Sequence, residues 1–167
     1  HQLDELAIAS WNLQGGLKSG AEFQCVARDL GMRKVDIGCL QETHIHKEVM
    51  HSCEHGKLIC LEEPSTSKTV RYGLGFFIGK SLMDHVIDYR LVSNRIDILR
   101  LQNAVGSVGS NLRRKFSTIC IVNVYAPTSQ RAVNYPEEYS GFYRQLGEVV
   151  RACSNHSSSV IVAGDFN

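Results

Sequence analysis

Asn12, Glu42, Asp165 and Asn167 each come at the end of a short apolar run, in "LAIASWN", "VDIGCLQE" and "SVIVAGDFN". Strand ends are where a rigid backbone delivers a polar side chain to a crevice. On an extended chain Asp165 and Asn167 point to the same face, because side chains alternate with a period of two. Glu42 and Asp165 are then placed to share one cation. Carboxylates and amides without a cysteine or a paired histidine form an oxygen donor set, which suits Mg²⁺ or Mn²⁺ better than Zn²⁺. Phosphodiester cleavage uses such a set, because it needs a positioned water, neutralised phosphate charge and a stabilised leaving oxygen. In that chemistry Asp165 orients or deprotonates the water. Asn12 and Asn167 orient the phosphate, and Tyr125, on a Tyr-Ala-Pro turn, adds a phenolic donor. Taken singly, each of these residues is as much at home in a strand end or turn.

The elements that must position them are legible as β-rich runs closed by polar residues. One helix is expected over about Ala21 to Met32, with Phe23, Val26, Ala27 and Leu30 at helical spacing after Ser19 as cap. A second, over Glu137 to Cys153 after Pro136, places Tyr139, Phe142, Tyr143, Leu146 and Val150 on one face. That aromatic face reads as core and not as a base-stacking platform. Lys57 to Phe116 reads as consecutive antiparallel strands, and "EEPSTSKT" and "NAVGSVGSNLRRK" as loops. The order predicts an α/β mixed sandwich with sheets inside and helices outside.

The 167 residues have the size of one domain, expected over 1–167, with 43% hydrophobic and 21% charged residues. A formal net charge of +1 leaves any nucleic acid to a local patch or a bound metal. The six cysteines are scattered and read as reduced thiols of an intracellular protein. His44, His46, His51, His55, Cys53 and Cys60 crowd one stretch, yet without the paired spacings of a zinc site; most of these histidines read as exposed loop residues. Arg71 and Arg95 flank strands and are candidate phosphate contacts, whereas Arg113, Arg114 and Lys115 read as a solvated hairpin tip. The chain starts on His1 without a methionine or a secretory signal and reads as cut at both ends.

"SWNLQGG", "DIGCLQETH", "YGLGFFI", "NVYAPT" and "GDFN", in this order, resemble the endonuclease/exonuclease/phosphatase superfamily over nearly the whole chain. "LQETH", "SNRIDILRL", "VNVYAPTS" and "VIVAGDFN" look closest to the endonuclease domain of LINE-type, RTE-like retrotransposons and the related craniofacial-development-protein-2-like sequences. The resemblance implies a four-layer α/β sandwich, two mixed sheets between outer helices, that cleaves phosphoesters with Mg²⁺ or Mn²⁺. It makes Glu42 the principal metal ligand with Asn12 beside it, and Tyr125 a phosphate-side donor. Asp165 would position or activate the water, and Asn167 would contact the phosphate or transition state. His44, Arg71 and Thr128 are the candidates for nucleic-acid contact.

Gln14 stands where apurinic endonucleases often carry an acid, which weakens a base-excision assignment, and Thr128 replaces an asparagine found after "YAP" in several relatives. Relatives continue past "GDFN" to a late Ser-Asp-His motif. This sequence has none, so the chain is expected to be the front part of a longer domain with its C-terminal part missing, inactive on its own. The function implied is a DNA endonuclease that nicks its target for reverse transcription, acting in the nucleus beside a downstream reverse transcriptase domain. The alternatives are a phosphatase or nuclease of another substrate class on the same fold, because fold does not fix substrate, or a non-catalytic pseudoenzyme fragment.

Overall fold

The structure is a computed structural model that describes residues 5–45, 48–61, 72–105, 115–157 and 159–167. Strands β1 (Ile8–Asn12), β2 (Ile37–Gln41), β3 (Val49–Cys53), β4 (Gly56–Cys60) and β5 (Leu74–Gly79) form one sheet in the order β1-β2-β5-β4-β3. A 3₁₀ helix, Lys80–His85, carries the chain to the second sheet. That sheet contains β6 (Val86–Ser93), β7 (Ile96–Val105), β8 (Lys115–Tyr125) and β9 (Ser159–Asp165), in sequence order. Helix α1 (Gly20–Met32) joins β1 to β2; a short α2 (Ser129–Asn134) and a long α3 (Pro136–His156) join β8 to β9. The arrangement is the expected α/β sandwich of two mixed sheets between helices.

Among the described residues two strand pairs are parallel, β1 with β2 and β8 with β9. Each is closed by a helical crossover, which parallel pairing requires. Alternation along the strands then builds three apolar layers. On β2, Leu40 faces α1 residues Phe23, Val26, Ala27 and Leu30, whereas Ile37 and Cys39 face the other sheet. On β8, Cys120, Val122 and Val124 face α3, and Ile121 faces inward to Phe76, Leu99 and Leu101. Helix α1 starts at Ser19 with a reciprocal capping box: the Ser19 hydroxyl accepts from the Glu22 N–H and the Glu22 carboxylate accepts from the Ser19 N–H.

The buried face of α3 is Phe142, Leu146, Val149 and Cys153, not the tyrosine-led set expected. Tyr139 and Tyr143 pair at its flank, rings 4.9 Å apart, and Tyr143 stays 38% exposed. The aliphatic stripe fills the sheet contact, and the phenols keep water within reach at the rim. The later part of the histidine-rich stretch departs from the loop expected: Val49 to Cys60 forms the β3–β4 hairpin, with His55 in its turn and His51 on β3 stacked 5.7 Å from the Phe23 ring, while His46 lies outside the described residues. The loop candidate of 62–69 lies outside the described residues. Of the second, 103–115, the ends prove to be strand, Asn103 to Val105 in β7 and Lys115 in β8, paired in one antiparallel ladder, while 106–114, with Arg113 and Arg114, lies outside the described residues.

A polar seam runs through the inter-sheet layer. Gln41 Nε2 donates to Asn123 Oδ1 at 2.8 Å, and Asn123 Nδ2 donates to the Leu40 and Gly75 carbonyls at 3.0 and 3.1 Å. Ser10 Oγ donates to Gln41 Oε1 at 3.2 Å. Asp97 of β7 lies opposite Asn123 of β8 and is 1% exposed. Burial pushes its carboxyl well above the ordinary value, against the pull of a hydrogen bond with Asn123. Burial likewise raises the Cys39 thiol, and the Cys60 thiol to about 12.

The raised Asp97 carboxyl has a stability consequence of definite sign. Above the ordinary aspartate value of 3.8 the unfolded chain releases this proton while the folded chain keeps it. The stabilisation is therefore complete below that value and is lost as pH rises through the raised folded-state pKa. Thermal melts of Asp97→Asn across this window should fall less steeply with pH than those of the parent; parallel curves would show that Asp97 is charged in the fold.

Candidate active site

The C-terminal ends of the two parallel strand pairs meet at one edge of the sandwich, where β1 and β2 pack on β9 and β8. Asn12 is the last residue of β1, Glu42 follows β2, Tyr125 ends β8 and Asp165 ends β9. In register, Asn12 lies beside Gln41 and Tyr125 beside Asp165. Asn12 Nδ2 donates to Glu42 Oε1 at 2.9 Å and to Asp165 Oδ2 at 2.7 Å. The Tyr125 hydroxyl donates to the same Glu42 Oε1 at 2.8 Å. One amide therefore holds two carboxylates from opposite sheets together, with a phenol on one of them.

Local backbone geometry sets these four side chains. Glu42 leaves β2 in the left-handed region, φ +53°, a conformation that costs a residue with a Cβ on the order of 1 kcal/mol. Backbone bonds on both sides enforce it: Leu13 N–H to the Gln41 carbonyl at 3.0 Å, Thr43 N–H to Gly73 at 3.1 Å and His44 N–H to Tyr72 at 3.0 Å. Asn12 and Asp165 each close the same side-chain turn. Asn12 Oδ1 accepts from the Gln14 N–H at 3.0 Å, and Asp165 Oδ1 from the Asn167 N–H at 2.9 Å. Gln14 and Asn167 both adopt positive φ, +44° and +51°.

That second turn ends the extended run on which Asp165 and Asn167 were expected to face the same way. Asn167 Nδ2 instead donates to the Ala126 carbonyl at 2.8 Å and braces the Tyr-Ala-Pro turn. Thr128 caps α2, its hydroxyl accepting from the Arg131 N–H at 3.4 Å. His44 lies two residues past Glu42, its Cβ so close that a Cβ on Gly16 would stand 2.5 Å from it. Arg71 lies outside the described residues.

The Tyr125 hydroxyl is pushed up to about 12, first by burial and then by the Glu42 carboxylate that takes its hydrogen bond, with Arg95 pulling the other way. It is a neutral donor at physiological pH. The donor set is oxygen-only and holds two carboxylates; among the described residues no cluster of three His, Cys, Asp or Glu side chains forms a metal cage. Such a set fits Mg²⁺ or Mn²⁺, which take one or two carboxylates and complete their shell with water and substrate phosphate.

Sequence reasoning passed over the residues beneath the site. Gln41 and Asn123 are both 0% exposed, and the sign was a polar residue inside each apolar run, "GCLQE" and "CIVNVY". Arg95, a phosphate candidate by sequence, is 6% exposed and fully engaged within the protein.

Two facing mixed sheets, with carboxylates, amide and phenol converging at the ends of their parallel strands, define an α/β sandwich with an oxygen-rich cluster at one edge. The chain belongs to the Endonuclease/Exonuclease/phosphatase family, whose model matches residues 9–167. Among solved structures, truncated Caenorhabditis elegans TDP2 is similar at TM-score 0.58 and 14% identity, over 99% of this chain and 64% of that one. A second Caenorhabditis elegans TDP2 structure gives 0.55 and 15%, over 97% and 47%. The human Nocturnin catalytic domain with bound sulfate anion gives 0.49 and 14%, over 97% and 64%. The chain thus spans 64% and 47% of the two TDP2 chains. No curated protein matches it by sequence.

The glycine of "GDFN" is fixed by this packing. Gly164 sits at φ +144°, and a Cβ there would stand 2.0 Å from the Val124 carbonyl oxygen. Gly164→Ala should cost about 2–4 kcal/mol in urea unfolding; a loss below about 0.5 kcal/mol would show that β8 and β9 are not pressed together here.

Proposed function

We propose that this domain is a divalent-metal-dependent phosphodiesterase acting on DNA, a nicking endonuclease of the LINE type. The observation that carries the chemistry is the single amide of Asn12 holding Glu42 and Asp165 at 2.9 and 2.7 Å. The substrate class is supported by the motif set "LQETH", "SNRIDILRL", "VNVYAPTS" and "VIVAGDFN". Glu42, with Asn12 beside it, would hold Mg²⁺ or Mn²⁺, which supplies charge neutralisation on the phosphate when bound.

The chain's own residues do the rest. Asp165 accepts hydrogen bonds from Asn12 and the Asn167 N–H, which leaves lone pairs on both its oxygens to orient a water and take its proton. Tyr125, kept protonated, gives its one O–H to Glu42 in the resting site and would turn it to an oxygen that gains charge in the transition state. Asn167, hinged on the Ala126 carbonyl, has a second N–H for the phosphate. On this reading the complete protein works in the nucleus with a downstream reverse transcriptase domain, which uses the 3′-hydroxyl left at the nick. No helix of the described residues is long and apolar enough to cross a membrane.

In the full-length protein Glu42→Gln should abolish most Mg²⁺-dependent nicking of supercoiled plasmid without altering the melting curve, because an amide binds Mg²⁺ far less well than a carboxylate. Nicking at the parent rate in moderate Mg²⁺ would remove Glu42 from the metal. Release of phosphate from phosphomonoesters with plasmid left intact would move the reading to the phosphatase branch.

Asp165→Asn should lower kcat by about 10²–10⁴-fold with little change in DNA affinity, since water activation acts on the barrier more than on ground-state binding. Equal losses in rate and affinity would make Asp165 a structural residue.

A further inference from the structure

Arg95 precedes β7 in the two-residue turn after β6, and its guanidinium is buried among protein partners. Nη1 donates to the Tyr125 carbonyl at 3.1 Å, and Nη2 to Glu138 Oε1 at 3.1 Å. Its own carbonyl accepts from the Tyr125 N–H at 2.9 Å. Tyr125 is thus gripped at both main-chain polar groups by one residue. The guanidinium also lies 4.3 Å from the centre of the Tyr72 ring and 5.4 Å from that of Tyr125. With 7% of its side chain exposed, it has no surface to offer a phosphate.

The anchor is itself anchored. Glu138, in the first turn of α3, takes two further hydrogen bonds from Arg131 Nε, at 3.2 and 3.0 Å, and one from Nη2 at 2.6 Å. The bidentate match of guanidinium and carboxylate fixes orientation as well as charge. On the opposite side Tyr72 packs 5.9 Å from Tyr125 and accepts the His44 N–H in the segment that turns Glu42 into the site. Arg95 therefore joins the end of β8, the start of α3 and the segment that fixes the Glu42 turn.

We propose that Arg95 is a positioning residue of this site: held by Glu138, it fixes Tyr125 by backbone and ring so that the phenol meets Glu42. The proposal deepens the phosphodiesterase reading and rests on it for its kinetic consequence, though not for its structural one. Lysine keeps the charge but loses the fork, methionine keeps the stem alone, and Glu138→Gln loosens the anchor from the partly exposed side without disturbing the core.

The test combines fluorotyrosine placed at position 125, read by fluorine NMR, with plasmid nicking by the full-length protein in Mg²⁺. In Arg95→Met and in Glu138→Gln the fluorine resonance should move toward that of a solvent-averaged tyrosine, with Arg95→Lys in between. Nicking by Arg95→Met should lose about 10- to 100-fold in kcat at unchanged KM, with partial recovery in Arg95→Lys. On a Tyr125→Phe background the Arg95→Met change should cost less than about twofold more, because both act through one group. A resonance unmoved in all three variants overturns the proposal, whatever the activity. So do multiplicative losses with raised KM and a shallower salt dependence, which mark a direct phosphate contact. If Tyr125→Phe nicks as well as the parent, the catalytic reading of Tyr125 falls, and the fluorine spectrum still decides whether Arg95 positions it.

Discussion

One buried amide pair, Gln41 with Asn123, holds the site in register. Each side chain reaches from its own sheet into the layer between them, and the Asn123 amide also satisfies two carbonyls of the opposite sheet. An unmatched polar group there would cost roughly 1–3 kcal/mol, so a slip of one sheet over the other is penalised several times over. Gln41 directly precedes Glu42, and Asn123 lies two residues before Tyr125. The apolar layer supplies the attraction between the sheets, and this pair supplies the one alignment at which the chemistry-bearing residues meet.

Above that alignment, two like charges are kept close without touching. Glu42 and Asp165 would repel if left bare, and the two N–H groups of the Asn12 amide are shared between them. A phenol on Glu42 adds a further donor and no charge. The site thereby keeps an excess of negative charge toward the edge of the sandwich. That is the electrostatic condition for taking up a divalent cation and, through it, an anionic phosphate.

Residues whose role is local were legible in the sequence. Strand ends at Asn12, Glu42, Tyr125 and Asp165 follow from runs of apolar residues, and the Ser19 cap from its place just before the helical spacing of Phe23, Val26, Ala27 and Leu30. Features masked by a competing local signal, or dependent on partners distant in sequence, were not. The β3–β4 hairpin hid among histidines and cysteines whose chemistry drew attention from the alternation of Val49, His51 and Cys53. Asn167 was misdirected because a side-chain turn at Asp165 replaced the strand geometry from which its direction was read. Arg95 looked like a surface cation because a single chain cannot display Tyr72, Tyr125 and Glu138 closing around it.

The switch of sheets at the 3₁₀ helix also divides the molecule in time. Every strand of the first sheet precedes residue 80, and every strand of the second follows residue 85. The first sheet can therefore form on the ribosome from its own residues, with Asn12 and Glu42 already adjacent at its edge. Asp165 lies 153 residues beyond Asn12 and emerges only after α3 has been synthesised. Contacts so far apart in sequence form late, because loop closure must precede them. A nascent chain thus holds Asn12 and Glu42 with no partner carboxylate, and the cluster closes only when the second sheet docks and brings Asp165 to Asn12.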